Sequence, residues 1–346
     1  MIGLGLIGGS IGLALRDAGW HVRGDDIDAA RVEDAVSRGC IDAAGLDPAA
    51  AITFVAVPVL VVADQAKRAL AETTGVVTDV GGVKGAIAAA VHDPRFVGGH
   101  PMAGSELDGL DGADGSMFSG AVWVLTPVAA TDDVTFAHVA GVVAELGAEV
   151  VAMAPDRHDA MVAVVSHVPH LTAASLMGVA ADRAEEHAAL LRLAAGGFRD
   201  MTRVASGQPD IWLDICAENR PAILSALDAL IGRLGEMREI VSTDARDELF
   251  SRLQRARDAR TNLPIHATHP QELAEVRIPI PDRTGAAAEI FTLAAELGVN
   301  IASFEVVHLA ESNVGVAVVL VAADVADLYR GGLIARGFRP AVSRLS

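Results

Sequence analysis

The chain has 346 residues, of which 51% are hydrophobic and 21% charged, so it is long enough for two or three domains with sizeable cores. Its net charge of −18 argues against a nucleic-acid partner, because phosphate binding needs clustered Lys and Arg. We recognise no secretory signal and no membrane-length apolar stretch, and two distant cysteines, Cys40 and Cys216, favour a reducing cytoplasm.

The first residues carry a dinucleotide-binding pattern. The letters GLGLIGGS at residues 3–10 open a predicted helix, and the next predicted strand ends at Asp25 and Asp26. Such a loop brings backbone amides to a pyrophosphate, while the carboxylate after the second strand accepts hydrogen bonds from a ribose. The two carboxylates would repel a 2′-phosphate and favour NAD over NADP, and Arg31 is the only nearby cation that could neutralise such a phosphate. One of the two could instead be a solvated helix N-cap, a role for which Asp28 competes. The predicted cofactor-binding residues are Gly3, Gly5, Leu6, Ile7, Gly8, Asp26, Val57 and Asp79.

Only Met1 and Ile2 precede this loop. The central strand of a doubly wound sheet needs roughly five or six residues. We therefore expect a true start upstream; the alternative is a sheet that lacks most of its first strand.

Strand and helix signals alternate to about residue 150. Strands are predicted at 52–57, 75–80 and 96–99, and helices at 59–72 and 84–92. This alternation predicts an α/β Rossmann fold, a doubly wound parallel sheet with helices on both faces. Ligands bind outside the carboxyl ends of such strands, where Asp79 and His100 fall.

Long helical segments follow at 156–178, 180–195 and 210–257, the last with a break at Pro221. They predict an all-α substrate domain whose apolar faces are buried by homodimerisation. A βαββαβ order then predicts a small ferredoxin-like α+β module. The domain boundaries that we expect are 1–152, 153–260, a linker at 261–273, and 274–346.

Three clusters carry candidate chemistry. His100 leaves a strand in GGHPMAGSE, where histidine is the natural general base for an alcohol oxidation. The second cluster contains HD and SHVPH on the first long helix; Ser166 and His170 should share a face, although Pro169 should kink the helix. The third, GGFRDMTR, is expected to be a loop with two arginines able to bind carboxylates. Neither HExxH nor CxxC spacing accompanies the histidines, so we expect no metal.

With TDVGGVKG and HDAMVAVVSHVPH, these motifs make residues 1–257 resemble the prephenate dehydrogenases. The resemblance implies NAD-dependent oxidative decarboxylation of prephenate to 4-hydroxyphenylpyruvate, as in tyrosine biosynthesis. It also implies that His100 contacts the ring hydroxyl and that Arg203 binds a substrate carboxylate. The other predicted substrate-binding residues are Ser166, His170, Glu106, Trp212 and His158.

One family position differs. Members usually carry serine where this chain has Gly82, and the serine hydroxyl bonds the catalytic histidine. Glycine cannot orient an imidazole, so we expect a water or Ser105 to substitute, or activity to be lower.

Residues 276–344 resemble an ACT domain, a regulatory amino-acid-binding module, through PDRTGAAAEI and LGVNI. The resemblance implies feedback by an aromatic amino acid, with tyrosine as the expected effector. The predicted regulatory residues are Asp282, Gly285, Asn300 and Ile301.

The sequence leaves three alternatives open. Arogenate dehydrogenase has identical chemistry on a substrate with an amino group in place of the side-chain keto oxygen. A β-hydroxyacid dehydrogenase would share both domains but would use a lysine on the first helix of the helical domain. An NAD-responsive amino-acid sensor would have lost turnover.

Overall fold

The computed structural model describes residues 1–105, 107–186, 190–262, 273–281, 285–308 and 314–344. The chain divides into two compact units, Met1–Asp258 and Ala259–Ser346.

The first unit begins with a nucleotide-binding fold. Its strands are β1 (Arg23–Gly24), β2 (Ala43–Ala44), β3 (Ile52–Val55), β4 (Val76–Asp79), β5 (Phe96–Pro101), β6 (Val122–Thr126) and β7 (Glu149–Ala152). Its helices are α1 (Leu6–Asp17), α2 (Ala29–Ser37), α3 (Val59–Glu72), α4 (Gly85–Ala90) and α5 (Asp133–Glu145).

The main sheet has the order β3-β4-β5-β6-β7, and β1 and β2 form a separate parallel pair. Pairing is parallel except between β5 and β6, which are antiparallel, so the expectation of a wholly parallel sheet is wrong at this point. The connection from β5 to β6 contains only a 3-10 turn at Gly109–Gly112 among its described residues. A parallel neighbour needs a crossover, usually through a helix, whereas a chain that turns back pairs antiparallel.

Ile2 lies between β1 and β3, the edge strand of the main sheet. Ile2 forms isolated parallel bridges to both Asp25 and Val55. Its amide donates to the Phe54 carbonyl at 2.9 Å, and its carbonyl accepts from the Ala56 amide at 2.7 Å. The first strand is therefore reduced to a bridge that still joins β1 to β3, and an upstream start stays a prediction.

Buried side chains lie on both faces of the sheet. Phe54 packs in one cluster with Leu4 and Trp123, while its neighbour Val55 packs in another with Val77. This alternation is what successive strand residues require. Helices therefore cover both faces, as the sequence predicts.

The rest of the first unit is helical. Its helices are α6 (Pro155–Val162), α7 (Val168–Glu186), α8 (Gly196–Thr202), α9 (Pro209–Glu218), α10 (Arg220–Ser242) and α11 (Arg246–Thr261). A π-helical turn, Ala163–His167, joins α6 to α7 just before Pro169, where the sequence predicts a kink. The predicted break near Pro221 falls between α9 and α10, and α11 continues into the predicted linker.

The run Pro155–Arg183 has the length and apolar composition of a membrane span. Core helices of globular proteins share both properties, and this run packs against α10. Its length alone therefore assigns no membrane.

The second unit contains the predicted βαββαβ order. Its elements are β8 (Leu273–Pro281), α12 (Ala286–Glu296), β9 (Ile301–His308), β10 (Val314–Ala322), α13 (Ala326–Ala335) and β11 (Ala341–Arg344). The sheet order is β11-β8-β10-β9, with every pair antiparallel. Ile278, Ile290, Val319 and Tyr329 lie in its core.

Candidate active site

The glycine loop fits a dinucleotide. Gly3 has φ +89°, and a Cβ there would lie 2.3 Å from the Ala56 carbonyl oxygen. A Cβ on Gly8 would lie 2.0 Å from the Gly3 oxygen, so both positions exclude side chains. Gly5, the N-cap of α1, has no such neighbour within 4 Å. The loop thus packs tightly against the protein at Gly3 and Gly8, whereas Gly5 has free space beside it. This leaves the amides at the start of α1 accessible to a pyrophosphate.

Asp26 lies beside this loop. Its carboxylate accepts a hydrogen bond from the Leu4 amide at 2.8 Å and pairs with Arg31 at 3.0 Å. Asp28 accepts from the Ala30 amide and is the N-cap of α2, the competing role expected from the sequence. Asp26 therefore remains the candidate ribose ligand. Of the other predicted cofactor-binding residues, Leu6, Ile7 and Val57 are half-buried.

Asp79 is not at the cofactor surface. Its side chain is fully buried and forms an ion pair with Lys84, which is also fully buried. It also accepts hydrogen bonds from the amides of Gly81 at 2.8 Å and Gly99 at 3.2 Å. The prediction that Asp79 binds cofactor is therefore wrong for its side chain, because every contact of this carboxylate joins the loop after β4 to β5.

His100 lies near the carboxyl end of β5 and is half-buried. Its Nδ1 atom is 2.8 Å from Nε2 of His158, whose side chain is fully buried. The Nδ1 atom of His158 is in turn 2.8 Å from Oδ1 of Asp159. The prediction that His158 touches substrate directly is therefore wrong, because its ring is enclosed and both nitrogens have protein partners.

Asp159 connects this row to both domains. Its two oxygens accept the amides of Lys84 at 2.8 Å and Gly85 at 2.7 Å, where α4 begins. Its carbonyl accepts from the Asn219 amide group at 2.9 Å, and Asn219 also lies 3.2 Å from Nδ1 of His167. A continuous buried polar network thus fixes β5 against α6 and α10.

Burial lowers the pKa of two histidines, His100 and His167. Desolvation, assisted by the nearby Lys84, holds the pKa of His100 well below its usual value. Desolvation also lowers the pKa of His167 to about 4. At neutral pH His100 is therefore a neutral imidazole with one nitrogen free to accept a proton, as a general base must have.

An aromatic wall accompanies the histidines. The rings of His170 and Trp212 stack with centroids 3.6 Å apart at 12°, and His167 meets the same indole edge-on at 6.0 Å. Ser166 lies in the π-helical turn and is half-buried. Two of the predicted pocket residues, His170 on α7 and Trp212 on α9, are thus in contact, and Ser166 immediately precedes His167, which meets the same indole.

Arg203 follows α8 and is exposed. Most of the GGFRDMTR segment forms that helix, so the expectation of a loop is wrong. Glu106 lies outside the described residues.

The structure also answers what orients His100 in a chain with Gly82. Gly82 leaves space beside the imidazole, since a Cβ there would lie 3.8 Å from Nε2 of His100. Ser105 is exposed, and its hydroxyl accepts from the Leu107 amide, so it does not replace the missing serine. The partner of His100 is instead His158, on the opposite nitrogen.

Sequence reasoning missed Lys84 and Asn219 as parts of this network. The TDVGGVKG motif contains both Asp79 and Lys84, and a buried pair five residues apart is the signal it offers. Asn219 carries no comparable local signal. Within the described ranges, no group of three His, Cys, Asp or Glu side chains is arranged to hold a metal ion.

A dinucleotide loop in a Rossmann fold, joined to a helical domain with a neutral histidine at the strand ends, defines an NAD-dependent dehydrogenase. Comparison with known proteins gives the family. The model of the prephenate dehydrogenase nucleotide-binding domain matches residues 11–152, and the model of the dimerization domain matches residues 154–255. The chain belongs to the prephenate dehydrogenase family.

Individual relatives agree. The prephenate dehydrogenase of Bacillus subtilis (strain 168) is 33% identical over 91% of this chain and 90% of its own length. The Aquifex aeolicus prephenate dehydrogenase, solved with hydroxyphenyl propionate and NAD+, has a TM-score of 0.72 at 30% identity and covers 76% of this chain and 96% of its own. Synechocystis arogenate dehydrogenase has a TM-score of 0.67 at 31% identity, covering 75% and 97%.

Proposed function

We propose that this chain catalyses the NAD+-dependent oxidative decarboxylation of prephenate to 4-hydroxyphenylpyruvate. The observation that carries the proposal is the neutral His100 near the carboxyl end of β5, with one nitrogen held by His158. Ile2, β3, β4 and β5 are linked in parallel, so the glycine loop, which follows Ile2, and His100, near the end of β5, lie at the same edge of the sheet. This is where ligands bind in such sheets.

In the proposed reaction, the cofactor takes a hydride and His100 takes a proton. When bound, NAD+ accepts the hydride from the ring carbon that bears the hydroxyl. His100 takes the hydroxyl proton through Nε2, so that carbon becomes a carbonyl. The bond to the ring carboxylate then breaks, its electron pair enters the ring, and CO2 leaves an aromatic phenolate. His100 returns its proton to the phenolate oxygen, so atoms and charge balance.

Arg203 binds a substrate carboxylate in this scheme. The chain has a net charge of −18, so an anionic substrate needs a local cation. The stacked His170 and Trp212 present a flat wall suited to a six-membered ring. We assign this wall and Ser166 to the substrate pocket.

Arogenate is the second candidate substrate. The likeness to Synechocystis arogenate dehydrogenase and to the Zymomonas mobilis cyclohexadienyl dehydrogenase, 34% identical over 54% of this chain, supports keeping it. The β-hydroxyacid alternative has no support, because Lys67 and Lys84 are the only lysines in the sequence. Neither lies on the first helix of the helical domain.

The helical domain is proposed to form a homodimer. An apolar groove of about 500 Å³ is lined by Val164, Val168, Leu176, Met201 and Leu230. The family model for this region is itself described as a dimerization domain. A second copy of the chain would bury this groove. The cytoplasmic location stays a prediction.

The second unit is proposed to bind an aromatic amino acid, with tyrosine as the expected effector. Its βαββαβ order and β11-β8-β10-β9 sheet support an ACT-like module. Gly285, at φ +87°, caps α12, and the exposed Asn300 directly precedes Ile301, the first residue of β9. Asp282, predicted to contribute, lies outside the described residues.

The test is NADH formation with prephenate, with arogenate and with neither. We expect prephenate to be oxidised and His100→Asn to lose at least about two orders of magnitude in kcat, the usual contribution of general acid-base catalysis. NAD+ affinity should be retained in that variant. Turnover of arogenate alone would transfer the assignment to the second candidate, and a fully active His100→Asn would remove the histidine from the mechanism.

A further inference from the structure

The row from His100 through His158 to Asp159 has a direction that its partners determine. Oδ1 of Asp159 accepts the Lys84 amide and Oδ2 accepts the Gly85 amide. Amides can only donate, so Asp159 acts as an acceptor at both oxygens. The Nδ1 atom of His158, 2.8 Å from Oδ1, must then carry a proton and donate it.

This assignment propagates to His100. With Nδ1 as its protonated nitrogen, His158 offers a lone pair at Nε2. That lone pair lies 2.8 Å from Nδ1 of His100, which must therefore hold the proton of this contact. The remaining nitrogen of His100, Nε2, is left unprotonated on the side that Gly82 leaves open.

We infer that His158 and Asp159 are positioning residues that fix the tautomer and ring orientation of His100, so that its Nε2 atom is the base. They replace, from the opposite side of the ring, the orienting hydroxyl that Gly82 cannot supply. The catalytic use of this tautomer rests on the proposed function, whereas the tautomer itself does not.

The row from His100 to Asp159 also stabilises the protonated form of His100 during turnover. When Nε2 takes a proton, the imidazolium keeps donating through Nδ1 to His158, whose other nitrogen faces the Asp159 carboxylate. A buried carboxylate behind a histidine holds the ring and stabilises its charged form without accepting the proton itself. Because the His158 side chain is fully buried, bulk water does not compete for its two ring nitrogens.

The first test needs no substrate. In a long-range 1H–15N spectrum of protein labelled at histidine, with His100→Asn used for assignment, we expect His100 to be protonated at Nδ1 and bare at Nε2. A spectrum in which His100 carries its proton on Nε2 would overturn the inference. This measurement can be made even if neither prephenate nor arogenate is turned over, so it separates failure of the tautomer assignment from failure of the proposed function.

The second test uses a graded series at one position. In His158→Gln the amide oxygen can reach the place of Nε2 and accept from His100. In His158→Asn the shorter amide can bond only Asp159, and His158→Phe removes both contacts. The exposed His92, replaced by Phe, is the matched control for losing a histidine.

We expect kcat to fall about 10- to 100-fold in the Asn and Phe variants, since small misplacements of a catalytic group cost this much. KM should stay nearly constant, His158→Gln should recover much of the rate, and His92→Phe should match wild type. NADH affinity and the melting temperature identify any variant that has merely unfolded. Wild-type kcat in a folded His158→Asn, or equal loss in the folded Gln and Asn variants, would contradict a positioning role.

Discussion

Replacing Gly82 by serine tests whether His100 is already oriented. Gly82 is not among the glycines with positive φ, so serine meets no backbone strain there. A Cβ would lie 3.8 Å from Nε2 and 3.9 Å from Cε1 of His100, which is ordinary contact. The added hydroxyl would therefore reach Nε2, the atom proposed as the base.

Because His158 already holds the other nitrogen, the hydroxyl would compete with substrate rather than orient the ring. A net hydrogen bond is worth about 0.5 to 1.5 kcal/mol. We expect kcat/KM for prephenate to fall by roughly two- to twelvefold, the rate equivalent of that energy.

Gly82→Ala is the control, since it adds the Cβ without the hydroxyl and should stay close to wild type. The assay is initial-rate NADH formation across prephenate concentrations for all three proteins. A serine variant faster than both wild type and Gly82→Ala would refute the reasoning, because it would show that the ring still lacked an orienting bond.

Three further outcomes follow from the same site. Arg203→Ala should raise KM for prephenate without changing NAD+ affinity. The KM of Arg203→Lys should lie between those of wild type and Arg203→Ala, because lysine keeps the charge and loses the bidentate fork. Unaltered saturation by prephenate would give Arg203 a purely structural role. Burial and the nearby Lys84 lower the pKa of His100, so this base stays neutral to lower pH than an ordinary histidine. The acid limb of the kcat/KM profile should therefore lie below the ordinary histidine pKa of about 6.5. A pH profile with that limb at or above the ordinary value would contradict the assignment. A chain ending at Asn262, just after α11, should keep turnover and lose inhibition by tyrosine; equal inhibition of both forms would place tyrosine in the active site.

Local patterns predicted much of the fold. The helix predicted at 59–72 is observed as Val59–Glu72, and the βαββαβ order of the second unit is confirmed. These segments have strong apolar periodicity bounded by Gly, Pro or Asn, which is information contained in a few consecutive residues. The antiparallel pairing of β6 was missed because strand direction depends on the connection rather than on the strand residues.

The site was predicted residue by residue, but its pairings were not. His100 and His158 are 58 positions apart, and Asp159 and Asn219 are 60 positions apart. No periodicity connects such pairs, since they meet only when the helical domain packs on the sheet. Asp79 shows the same limit: its strand-end position suggested a ligand contact, whereas burial with Lys84 gives it a structural role.

The most direct test of the central claim is the stoichiometry of the reaction with prephenate as sole substrate. NADH by absorbance, 4-hydroxyphenylpyruvate by chromatography and CO2 by trapping should appear in equal amounts, and all three should disappear together in His100→Asn. NADH formation without CO2, or no NADH with a chain that binds NAD+ normally, would contradict the proposed oxidative decarboxylation.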